Sequence, residues 1–139
     1  MEINIMAVLV AVVANFVFGY LWFTPLFGKA WAKENKFDTS VKPPTSVLVK
    51  GMIFMVIGNF LMAYVFAHNI MAWTYVPGMA EMPKASNLLS ATIFTWLGFY
   101  VPTDLSTVAW EGKSWKLFAI NTVYHFLSLL IAALIIMNM

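Results

Sequence analysis

Asp104, Asn121, His125 and Ser128 are the residues of this chain whose types and spacing could do chemistry. Asp104 is the only acidic residue well inside a long apolar stretch. Asn121, His125 and Ser128 follow one another at i, i+4 and i+7, the spacing of one helix face. A carboxylate and an imidazole about one helical turn deeper could relay a proton or coordinate a cation, because histidine changes charge near neutrality and burial disfavours an ionised carboxylate. A plainer reading stands beside this one. Asp104 follows Pro102 and could cap backbone groups that the proline frees, while Asn121 and His125 could be interhelical hydrogen bonds worth about 1 kcal/mol each.

The elements that must position these residues are apolar runs at about residues 4–23, 49–70, 88–110 and 116–138. Each is close to the ~20 residues a helix needs to cross hydrocarbon. A chain of 139 residues that is 62% hydrophobic and only 10% charged is too apolar for a soluble core of its size. Its backbone groups in lipid need internal partners, and the runs lack the alternation of barrel strands. The expected fold is therefore an all-α integral membrane protein, one domain over 1–139, with four transmembrane helices arranged as two hairpins. The first run reads as a retained helix rather than a cleaved signal, despite Ala30-Trp31-Ala32, because Glu2 stands where a basic segment should be. At 1.5 Å per residue, Asp104 lies roughly 9 Å below Trp110, at a depth comparable with Asn121.

Seven of the eight lysines fall after the first run, at the start of the second, or between the third and fourth, leaving Lys84 alone on the other side. By the positive-inside rule both termini lie outside the cytoplasm, in a multi-pass protein of the bacterial inner membrane. Residues of about 26–36 read as a short interfacial helix ended by Pro43-Pro44, with Lys29, Trp31, Trp110 and Trp115 as anchors to the bilayer. Asn15 and Asn59 lie at matching depths and are expected to bond across the first hairpin. Small residues spaced by four, Ala7, Ala11, Asn15 and Gly19 on one run and Asn59, Ala63 and Ala67 on the next, invite close packing within the protein or between copies.

Sliding the chain along itself until Gly19 meets Gly98 sets "GYLWFTPLFGKAW" over "GFYVPTDLSTVAW" without a gap, matching Thr24 with Thr103 and Trp31 with Trp110, and placing Pro25 over Asp104. A shorter slide sets Lys50 over Lys116 and Asn59 over His125. Two hairpins of one orientation would form a parallel internal repeat.

The run "GYLWFTPLFGKAW", the later "WLGF" at 96–99 and the closing "WEGKSWKLFAINTVYHFLSLLIAALI" together resemble the small bacterial membrane proteins of domain of unknown function 1761. The resemblance covers nearly the whole chain and implies a four-helix integral membrane protein with no activity or residue roles to carry over. Nothing in the residues points to an enzyme. There is no nucleophile elbow, no phosphate-binding glycine loop and no histidine and carboxylate cluster at metal-ligand spacing, so neither a metal nor a cofactor is expected. The ten methionines are spread as packing residues would be, and without arginine the chain lacks the fork that grips nucleic acid. The expected function is a small homo-oligomeric channel or transporter for an ion, proton or small solute. The alternative is an accessory or scaffold subunit of a larger membrane complex.

Overall fold

The computed structural model describes residues 2–139 and, among them, contains helices and no strand. Helix α1 covers Ile5–Leu21 and runs on through a π-helical turn, Trp22–Leu26, into the short helix α2, Gly28–Glu34. Helix α3 spans Thr45–Trp73. Helix α4, Lys84–Thr95, continues through a second π-helical turn, Trp96–Tyr100, into α5, Val101–Glu111, and α6 spans Trp115–Asn138.

Local chemistry explains the boundaries. Asn4 and Ser114 cap α1 and α6, their side chains accepting the amides of Ala7 (3.2 Å) and Leu117 (3.1 Å). Helices α3 and α4 begin directly after Pro44 and Pro83, earlier than the apolar runs, because a proline fixes the extended entry and the polar residues that follow are compatible with a first turn. Gly112, at φ 63°, ends α5 in the left-handed conformation and lets the chain reverse into α6. Between α2 and α3, Ser40 donates from its hydroxyl and amide to Asp38 Oδ1 (2.6 and 2.9 Å), and these two bonds hold the Asp38 carboxyl below its ordinary value.

Three helical segments are long and apolar enough to cross a membrane: Ile5–Leu26, Thr45–Trp73 and Trp115–Asn138. The sequence reading expected four. The α4 and α5 segment is interrupted by its π turn and carries Asp104 with several threonines and serines, which dilutes its apolar character.

Helix α1 packs between α3 and α6, and α6 also packs on α4 and α5. Val8, Ala11 and Val12 of α1, Phe66 and Ala67 of α3, Ala91 of α4, and Leu129 and Ala132 of α6 form the centre of the buried core. These positions all lie toward one end of the bundle. The small-residue row Ala7, Ala11, Asn15 and Gly19 is entirely buried, so it is spent inside the protein rather than left for a second copy. At the other end α3 opens out: from Thr45 to Leu61 only Met55 and Asn59 are even half-buried.

Helix α2 docks onto the start of α6. Ser114 Oγ donates to Glu34 Oε2, Lys113 Nζ to Asn35 Oδ1 (3.4 Å), and Lys116 Nζ lies 4.0 Å from Glu34. The expected interfacial foot is thus also a strap joining the first loop to the α5–α6 turn. Trp31 packs against Phe23 and Phe37 with ring centres 5.6 and 5.4 Å away, while Trp110 and Trp115 are 88% and 66% exposed and Lys29 is exposed.

Candidate polar site between α3, α5 and α6

Helix α4 buries Asn87, Leu88, Ala91 and Thr92, a row that a regular helix repeats every three turns or roughly 11 residues. Continued from Thr92 without interruption, that row would reach Thr103. A π-helical turn carries one residue more than an α turn, and it moves the row on by one to Asp104. The turn closes with the Val101 amide donating to the Trp96 carbonyl, and Pro102, lacking an N–H, cannot restore the regular ladder. Thr103 Oγ1 donates to the Phe99 carbonyl of the same turn (2.7 Å).

Asp104 is only 6% exposed, and its Oδ2 lies 2.8 Å from His125 Nδ1. With the carboxylate ionised, Nδ1–H donates to it, and the other ring nitrogen, Nε2, has no protein partner among the described residues. The Tyr100 ring lies against the imidazole with centres 4.7 Å apart, and Tyr124 flanks it at 5.7 Å. His125 forms part of the wall of a cavity of about 260 Å³, together with Met55, Gly58 and Asn59 of α3, Tyr100, and Tyr124 and Ser128 of α6.

The four residues singled out from sequence are not one ladder. Asp104 and His125 touch, and the buried Ser128 belongs to the wall of the same cavity. Asn121 is half-buried, forms no hydrogen bond among the described residues and is not part of the cavity wall. The expected bond across the first hairpin is also replaced. Asn15 is fully buried and donates from Nδ2 to the Ser128 carbonyl (3.1 Å) on α6, because α1 turns its small-residue row toward α6 as well as α3. Asn59 Nδ2 is buried with no acceptor.

Sequence reasoning missed Tyr100 and Tyr124, which read as ordinary apolar-helix aromatics, and it missed the pair of tryptophans that hold the π turns. Trp22 Nε1 donates to the Ile120 carbonyl (3.2 Å) and Trp96 Nε1 to the Thr122 carbonyl (2.8 Å). Each tryptophan opens a π turn, so the structural counterpart of Trp22 is Trp96, whereas the sequence match sets Trp22 over Val101. In the structural register Pro25 and Asp104 are not counterparts: Pro25 lies inside the first π turn, whereas Asp104 lies beyond the second.

Among the described residues no group of three or more histidine, cysteine or carboxylate side chains is placed to hold a metal ion. What the site can do follows from its one ionisable pair: an imidazole oriented by a carboxylate, at the wall of a mostly apolar cavity.

An all-helical chain with three helices of membrane-crossing length and apolarity, and an ionisable pair between its helices, has the character of a membrane protein. Residues 6–137 match the family described as protein of unknown function (DUF1761), and the chain belongs to that family. No curated protein and no solved structure matches it.

Proposed function

We propose that this protein is a small multi-pass transporter or channel of the bacterial inner membrane, carrying an ion, proton or small solute past the Asp104–His125 pair. In this reading the α4–α5 segment is a fourth span, its polar residues tolerated because Asp104 is paired with His125 and the hydroxyls of Thr103, Ser106 and Thr107 donate to carbonyls of their own helix. Both termini then lie outside the cytoplasm, with the lysine-rich loops inside. Four helices enclose little pathway, so the working unit is a homo-oligomer. No chemical reaction on the solute and no cofactor are part of the proposal.

The observation that carries it is the oriented imidazole of His125, 2.8 Å from a buried carboxylate and part of the wall of a cavity. An intramembrane ionisable pair is costly, and a purely structural contact would be served as well by neutral partners. The test is proton and solute flux in proteoliposomes of the purified protein, beside Asp104→Asn and His125→Ala. Flux in the native protein with at least a tenfold loss in each variant supports transport, the order expected for removal of a proton-transfer group. No flux from correctly folded native protein overturns it.

A second reading, an accessory subunit, draws on the first half of α3. Between Thr45 and Leu61 it buries none of its residues, leaving apolar surface such as Ile53 and Phe54 that a protein partner in the membrane could cover.

A further inference from the structure

We propose that the groove between α6 and the first π turn, with Lys116 at its mouth, holds one chain of an anionic phospholipid drawn from the bilayer. Such binding is independent of transport and is measured without flux.

The walls of the groove select the chain. Lys116, Ala119, Ile120 and Val123 follow one another at i, i+3, i+4 and i+7 and so share one face of α6. Trp22 and Phe27, their ring centres 4.4 Å apart, supply the other wall, and the enclosed space is about 320 Å³. The separation of Lys116 from Val123 along α6 sets the length of the groove at roughly 10 Å. Apart from Lys116 every side chain of the wall is apolar, and their one polar atom, Trp22 Nε1, already donates to the Ile120 carbonyl (3.2 Å). A polar ligand would lose its hydrogen bonds to water there and gain none, so the groove takes hydrocarbon. Ala119 and Val123 are exposed, which opens it outward along a helix of membrane-crossing length.

The mouth of the groove selects the headgroup. Lys116 lies in the first turn of α6 next to Trp115, which is 66% exposed, and an exposed tryptophan at the end of a membrane-crossing helix marks the headgroup level. The Lys116 side chain is 61% exposed, and the one carboxylate within reach among the described residues, Glu34, stands 4.0 Å away and also accepts from the Ser114 hydroxyl. Residues 26–50 and 110–116 carry seven lysines against three carboxylates, Glu34, Asp38 and Glu111, and Asp38 is taken up by Ser40. That surplus of positive charge favours an anionic headgroup over a zwitterionic one, by about fivefold for a lysine at the membrane surface. A cation at headgroup level with an apolar groove running inward from it fits the outline of an anionic phospholipid. A chain lying there touches both walls and holds the end of α1 against α6.

The experiment titrates the full chain, delipidated in detergent, with phosphatidylglycerol or with phosphatidylcholine of the same acyl chains, and counts bound lipid by native mass spectrometry. Phosphatidylglycerol should occupy its first site about fivefold more tightly. Lys116→Gln should abolish this preference, and Ala119→Phe, which fills the groove, should weaken both lipids about tenfold. Lys84→Gln, at the opposite end where Lys84 meets Asn138, should change neither. All three positions are exposed, and circular dichroism checks that each variant keeps its helices. Raised salt should erase the preference and leave the effect of Ala119→Phe in place. Equal binding of the two lipids by the native chain, an equal loss of preference in Lys84→Gln, or unchanged binding in Ala119→Phe overturns the proposal.

Discussion

Asp104 and His125 are more than neighbours of opposite character, because each is what makes the other tolerable. The Asp104 side chain is 8% exposed and that of His125 29%. Removing the histidine leaves a buried carboxylate without its partner, which costs about 3 kcal/mol, whereas Asp104→Asn keeps the shape and an acceptor and costs about 1 kcal/mol. Thermal unfolding in detergent should rank His125→Ala well below Asp104→Asn, and the reverse order would mean that the carboxylate is not held by this contact. The two asparagines divide in the same way. Asn15→Ala deletes a buried bond to the Ser128 carbonyl and should cost about 1 kcal/mol, while Asn59→Leu removes a donor that has no acceptor and should be neutral or stabilising. Equal losses at both positions would show that Asn59 is satisfied within the native fold.

At the scale of the elements, the two π-helical turns are the devices that set the site. The second adds the residue that turns Asp104 from the flank of α5 toward α6. Deleting Gly98, whose added Cβ would meet nothing and whose loss therefore breaks no packing, should let the turn relax to an α turn. The buried row then runs from Thr92 to Asp104 in the regular ~11 residues, so α5 keeps its facing and the carboxylate stays beside the imidazole. Nitrogen-15 NMR of the His125 ring should keep its Nδ1 hydrogen-bond shift in this deletion while helix content stays the same; loss of the shift would show that the turn does more than absorb one extra residue. The tryptophans show why the turns are stable where they are. Each indole N–H ends on an α6 carbonyl, so both interrupted helices are pinned to the same uninterrupted one. Gly19 serves that packing too, since a side chain there would run into Met55 and the Tyr124 hydroxyl.

The whole molecule is tight at one end and open at the other, with the cavity where α3 leaves the packed core. The strap from α2 to α6 lies at the opposite end from that core and ties the first loop to the α5–α6 turn. This places the loops after α1 and after α5 on one side. Because the chain has no cysteine, single substitutions report sidedness cleanly. In whole cells a membrane-impermeant maleimide should label Ala80→Cys but label Ser40→Cys and Lys113→Cys only after the membrane is opened. Labelling of all three from outside would overturn both the four-span reading and the orientation.

Helical class, the approximate place of each long apolar run and the depth of Asp104 to within one helical turn were legible in one dimension, because they depend on run length, composition and a rise of about 1.5 Å per residue; counting sets Asp104 level with Asn121, whereas the structure pairs it with His125, one turn further along α6. The direction in which Asp104 faces was not. It depends on one inserted residue in a helix, and a π turn leaves no periodic mark that a reading based on about 3.6 residues per turn can see. For the same reason the ungapped match paired Pro25 with Asp104, although the turns themselves align Trp22 with Trp96. Partner choice was hidden as well: Asn15 and Asn59 have equal depth, yet only the packing of α1 against α6 decided that one finds a carbonyl while the amide nitrogen of the other has no acceptor. Depth is additive along a chain and can be counted, whereas facing is a rotation that every irregular turn resets, and so it belongs to the packed structure.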